Sequence, residues 1–235
     1  KTKTRTWLPE NIHQVTLSRG QRAYRKHPDQ PHDIYLGFEY DDAEVQFSRL
    51  MPPIKNASGH AELNGNTFTA ATDHGVIQAD QGGLIDISGS SIVIPDTTQK
   101  PTPAKVNLVT DSTVTAALSL LNRDPINLMT KADRPVDLAD GRVKARGTLD
   151  LLLKKKLLAE EVRFNVSADM SNVTSDKLVP QRILRATHLD LEASNDLLKI
   201  SGRGQIGQVG FDAVYEDDLR VENKGKSRVY GVAEL

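Results

Sequence analysis

Short segments in which apolar and polar residues alternate, each closed by Gly, Asn, Asp or Pro, run through most of the chain. A period of two marks a strand with one dry side and one wet side. Ile34, Leu36, Phe38 and Tyr40 share a parity, as do Val45 with Phe47, Ala61 with Leu63, Ile85 with Ile87, and Ile92 with Ile94. The pattern resumes at Val143, Ala145, Leu149, Leu151 and Leu153. It returns at Val162, Phe164, Val166 and Ala168, whose neighbours Glu161, Arg163, Asn165 and Ser167 face the other way. Leu189 and Leu191, Leu198 and Ile200, then Val209, Phe211, Ala213 and Tyr215 complete it. A parallel α/β sheet would read as unbroken Val/Ile/Leu runs separated by long amphipathic helices, which this chain lacks in quantity. The pattern predicts a mainly β chain of antiparallel, hairpin-linked strands.

Helical spacing is clearest over 112–122, where Val114, Ala117, Leu118 and Leu121 recur, Ser112 is placed to cap and Pro125 blocks continuation. A weaker helical stretch covers about 155–160. The opening to about Asp33 is polar and basic, with a turn over 27–31. The stretch from Pro53 to Gly65 aligns without gaps to that from Pro135 to Gly147. Each reads Pro, β-branched residue, two free positions, Ala, a small or acidic residue and Gly, then an alternating strand ending in Gly. The final five residues repeat part of it. The expected organisation is a polar segment 1–33, a first β unit 34–132 carrying the helix, a second β unit 133–230, and the start of a further unit at 231–235. On this reading the chain is a piece of a longer stack of β repeats.

Composition narrows the function. The 235 residues are 38% hydrophobic, 26% charged and 5% aromatic with a formal net charge of −1, so no basic field draws the chain to nucleic acid, and none is expected as a partner. With no cysteine, disulfides, zinc ribbons and thiol nucleophiles are excluded. No run approaches the roughly 20 apolar residues that cross a bilayer, and no basic-then-apolar leader opens the chain.

Candidate chemistry is sparse. Gly202, Gly204 and Gly207 fit a dinucleotide fingerprint, but the residues after them alternate as a strand, whereas pyrophosphate binding needs a helix N-terminus there. Gly225-Lys226-Ser227 resembles the end of a phosphate loop, yet Arg220 stands where its first glycine belongs, and a hairpin tip fits better. His188, Asp190 and Glu192 alternate on one strand face, a possible ligand set on the solvated side, and no metal is expected there. Ser88-Gly89-Ser90-Ser91 reads as a turn, and Asp41-Asp42 and Asp217-Asp218 read as hairpin tips. A single Trp and few other aromatics argue against a sugar-cleaving cleft. The expectation is a non-catalytic chain without cofactor.

Leu50-Met51-Pro52-Pro53-Ile54-Lys55-Asn56-Ala57-Ser58-Gly59, the helical Ala117 to Leu121 running into Asp124-Pro125-Ile126, and the strand after Gly141 resemble the central region of AsmA-like proteins of the YhdP type. The segment from Trp7 to Ile12 is similar to what precedes that region. The resemblance implies an elongated antiparallel repeat sheet forming an open groove, related to TamB. It implies a protein held in the inner membrane of a Gram-negative bacterium by an anchor outside this chain, with its bulk in the periplasm. It further implies support of phospholipid transport between inner and outer membranes and of outer-membrane integrity, with membrane proteins as partners at either end.

An apolar sheet side uncovered by helices would exceed the few hundred square ångströms of apolar patch that monomers ordinarily expose, and phospholipid acyl chains would fill it. The residues expected to face them are Leu36, Phe38, Phe47, Leu63, Phe68, Ile85, Ile87, Leu149, Leu151, Phe164 and Val166. Lys154, Lys155 and Lys156 are placed to meet anionic headgroups. The alternative is a structural or interaction module, scaffold or adhesin, without lipid cargo; a residue facing a core and one facing a lipid obey the same alternation.

Overall fold

The computed structural model describes residues 12–25, 33–48, 50–154, 157–220 and 226–234. Among the described residues thirteen strands make an antiparallel sheet: β1 Ile12–Arg25, β2 Asp33–Val45, β3 Ile54–Asn64, β4 Thr67–Gln78, β5 Leu84–Asp86, β6 Ser91–Ile94, β7 Thr102–Thr113, β8 Asp140–Leu153, β9 Arg163–Val179, β10 Arg182–Ser194, β11 Leu197–Ile206, β12 Val209–Asp218 and β13 Ser227–Glu234. They hydrogen-bond in chain order, except that β6 leaves the path and pairs with β4 and β7. Two short helices, α1 Val114–Leu121 and α2 Leu128–Lys131, lie between β7 and β8.

The mainly β, antiparallel expectation therefore holds. The opening polar stretch contributes β1, which alternation had not revealed, because its register against β2 slips at three places. Of the weaker helical stretch, Ala159 and Glu160 fall in a 3-10 turn, Ala159–Glu161, and Lys155 and Lys156 lie outside the described residues. Asp41 and Asp42 sit not at a hairpin tip but inside β2, where Asp42 adopts φ 50° at a slip in register. Gly202 and Gly204 lie in β11 and Gly207 in the turn after it, with no helix following.

Residues with left-handed backbone explain where the alternation changes parity. Leu36, Phe38 and Tyr40 share the dry side with Ala43, which is buried, because the extra residue at Asp42 flips the pleat. In β9 the buried parity also changes, from Ala168 and Met170 to Val173 and Ser175, at Asn172 with φ 52°, although the pairing with β10 stays in step there.

By contacts the chain divides into two compact units, one within Lys1–Gln78, Asp86–Leu108 and Asp150–Val162, the other within Ala79–Ile85, Val109–Leu149 and Arg163–Leu235. The first buries mostly small residues, Ala43, Ala57, Ala61 and Ala104, with Ile77 and Ile87. Strands approach closely over such residues. At Gly59 a Cβ would lie 2.0 Å from the Ala71 carbonyl oxygen. The Tyr40 ring reaches across this gap, and its hydroxyl donates to that same oxygen at 2.8 Å.

The second unit has a conventional core of Val114, Ala139, Val143, Ala168, Met170, Val173, Ala186 and Leu189. Helix α1 lies on it through Val114, Ala117 and Leu118. Its N-cap is Thr113, one residue past the expected Ser112: the Thr113 hydroxyl accepts from Ala116 N at 3.0 Å and donates to Gly82 O at 2.8 Å. Ser112 is buried and donates to the Thr113 carbonyl. Asn122 ends the helix and accepts from Thr130 N at 2.8 Å, tying α2 to it.

The two stretches that align in sequence share burial as well. Ala57 and Ala139 are both buried, as are Ala61 and Val143, and Gly141, like Gly59, faces a neighbouring carbonyl, that of Ser171. They differ before the glycine, where Ile54 to Ser58 are strand and Val136 to Leu138 are turn.

Candidate functional site

The dry side of the sheet is organised as rows of side chains set across strands by the register. In the first unit one row runs Leu36, Leu63, Phe68, Ile94, and the next Phe38, Ala61, Ala70, Ile92, Val106. Ala61 is buried and Leu36 exposed; the rest are half-buried. Cross-strand pairs of this kind stabilise a sheet, but half-buried aliphatic and phenyl groups keep apolar surface in water.

In the second unit the rows are graded. Met170, Leu189, Gly202, Ala213 and Gly231 form one row, and its first two members are buried in the core that α1 covers. Ala168, Leu191, Ile200, Tyr215 and Val229 form the next, buried at Ala168, half-buried at Leu191, Ile200 and Tyr215, and 72% exposed at Val229. Val166, Ala193 and Leu198 follow in a third. The expectation of a face free of helices is thus corrected for this unit: α1 closes the Met170–Leu189 end, because Val114, Ala117 and Leu118 give it an apolar stripe of its own.

Of the residues expected to face lipid, Phe38, Leu63, Phe68, Leu149, Leu151, Phe164 and Val166 are half-buried, and Leu36 and Phe47 are exposed. Ile85 and Ile87 are 3% and 6% exposed and are spent on internal packing. The backbone of Phe164 is fixed where its N–H donates to Asn195 Oδ1 at 2.8 Å. Leu191, Ile200 and Tyr215 join the half-buried set; their parity was visible in the sequence, but their alignment with Ala168 emerges only from the register.

Lys154 donates to Glu161 at 2.5 Å, and Glu161 also accepts from Leu158 N, which together hold its carboxyl below the usual carboxylate range. Lys155 and Lys156 lie outside the described residues. On the dry side, burial raises the pKa of Tyr40, partly offset by a contact with the Thr72 hydroxyl.

The wet side carries His188 and the acids around it. His188 Nε2 lies 3.1 Å from Asp190 Oδ1 and 3.9 Å from Asp169 Oδ1, the latter reached across β9–β10. Glu192, the third member expected from sequence, lies instead beside Lys199 at 3.7 Å. Asp169 shares the parity of Asn165 and Ser167, so the sequence placed it on the wet side; only the register puts it opposite Asp190. Asp217-Asp218 stands at the end of β12, where Asp218 holds Arg220. Comparison with known protein families, with curated proteins and with solved structures finds no match to this chain.

Proposed function

We propose that this chain is a non-catalytic lipid-binding segment whose dry sheet side accommodates phospholipid acyl chains, as part of a periplasmic protein that supports phospholipid transport between two membranes. The observation that carries the reading is the set of half-open rows, Leu36-Leu63-Phe68-Ile94 in one unit and Ala168-Leu191-Ile200-Tyr215-Val229 in the other. Their members are aliphatic or aromatic, with the Tyr215 hydroxyl the one polar group among those named, which suits a flexible hydrocarbon chain better than bond chemistry. At ~0.8 kcal/mol per buried methylene, six or more methylenes offset the lower estimates, about 4 kcal/mol, for the cost of association. The resemblance to AsmA-like proteins supports phospholipid as the cargo and an open groove as the shape.

A second reading, a structural β module without cargo, is favoured by α1, which shows that part of the dry side is sealed by the chain itself. Native mass spectrometry of the chain purified from bacteria separates the two. Phospholipid adducts on the wild type that are lost in Phe164→Asp and Leu191→Asp, with the circular dichroism of both variants unchanged, fit the lipid reading. A wild-type chain free of lipid, and unable to take up a fluorescent acyl probe, sinks it in favour of the module.

A further inference from the structure

We propose that Asp169, His188 and Asp190 form a binding site for a first-row divalent transition-metal ion such as zinc, on the wet side of β9–β10. This does not depend on the lipid reading. One imidazole nitrogen and two carboxylate oxygens lie within 4.8 Å of one another, a donor set that zinc and its neighbours in the series accept. Metal–ligand bonds of roughly 2.0–2.2 Å place adjacent donors about 3–3.5 Å apart. His188 and Asp190 already stand at 3.1 Å, Asp169 lies 3.9 Å from His188, and all three donors are within 4.8 Å of one another, so the exposed carboxylates have to close in on the ion.

The backbone beneath the cluster is fixed. Asp190 pairs directly with Asp169 and His188 with Ser171, while Leu189 and Met170, the neighbours of these residues on the other side of the sheet, are buried in the core. Three donors therefore project from a base that does not have to be ordered on binding.

The electrostatics point the same way. Two carboxylates directly opposite each other across antiparallel strands repel, and among the described residues their one cationic partner is His188, which carries charge only when protonated. Of the basic residues on the flanking strand, Arg203 Nε donates to Asp212 at 2.8 Å and Lys199 lies against Glu192. A divalent ion between the carboxylates converts a repulsive pair into a ligand pair. The side chains of His188, Asp169 and Asp190 are 54%, 73% and 59% exposed, so the ion has direct access and its remaining positions go to water.

Isothermal titration of the whole chain with zinc chloride at pH 7.5 tests this, with His188→Ala, Asp190→Asn and, as a control at an exposed histidine elsewhere, His60→Ala. The expected result is one site with a dissociation constant of order 10 µM, weakened about tenfold or more in the first two variants and unchanged in the third. Zinc is also expected to raise the melting temperature of the wild type but not of His188→Ala. Absence of saturable binding below ~1 mM, or binding that survives both His188→Ala and Asp190→Asn, overturns the proposal.

Discussion

Tyr40 and Gly59 show how individual residues set the spacing of β3 and β4. The tyrosine hydroxyl closes on the Ala71 carbonyl only because position 59 has no side chain. Gly59→Ala is expected to destabilise the protein by about 1–3 kcal/mol in urea unfolding, since neither backbone can yield without breaking the ladder. Tyr40→Phe removes one half-buried hydrogen bond and is expected to cost about 1 kcal/mol by the same measurement. Asp86 is held below its ordinary pKa of 3.8 chiefly by the Ser88 hydroxyl, then by the Ser88 backbone N–H. Its folded pKa is depressed, so its contribution is present above the unfolded value and is lost as pH falls through the folded one. Ser88→Ala is expected to return the Asp86 pKa towards 3.8, as read by NMR titration of the carboxyl carbon. At this scale much was legible: the dry parity of Phe38, Phe164 and Val166 followed from their neighbours. The Asp169–Asp190 pairing was not, because a cross-strand partner depends on register, and register here is moved by bulges.

Among the elements, α1 covers one end of the second unit's core. Thr113 is at once its cap and its tether to the loop at Gly82, so Thr113→Ala is expected to cost about 1–2 kcal/mol in urea unfolding, at the upper end for a cap. Ser112→Ala removes a hydroxyl that satisfies only its neighbour's carbonyl and is expected to cost less. The helix itself was readable from its 3.6-residue spacing. Its cap lies one residue beyond the expected Ser112 because adjacent Ser and Thr can both cap, and here the Ser112 hydroxyl is buried on the Thr113 carbonyl while that of Thr113 accepts from Ala116 N. β1 escaped notice for the opposite reason: slips at Gln14, Thr16 and Gln21 interrupt the period that would have announced it.

For the whole molecule, net charge and apolar surface act together. A chain with a pI near 6.7 and half-open apolar rows has little charge repulsion to hold copies apart near neutrality. Self-association measured by light scattering is expected to peak near that pH, to fall by pH 9, and to be relieved by non-ionic detergent micelles. Ion pairs such as Arg19–Glu39 and Arg203–Asp212 are largely exposed. Raising salt from 0.05 to 0.5 M is therefore expected to change unfolding stability by less than about 1 kcal/mol. The class of fold was open to reading because alternation and turn residues agree along most of the chain. Which stretches of the dry side are sealed was not, since a leucine beneath a helix and a leucine beside water have the same neighbours in sequence.

That strands follow one another through the sheet almost in the order in which they are written also bears on how the protein is made. A newly synthesised strand finds its partner in the stretch made just before it, already clear of the ribosome. Most additions close a short loop, the step from β7 to β8 across the two helices being the longest, and none waits for the far end of the polypeptide. Growth then proceeds like a zip, each new strand meeting the unpaired amides of the one before it.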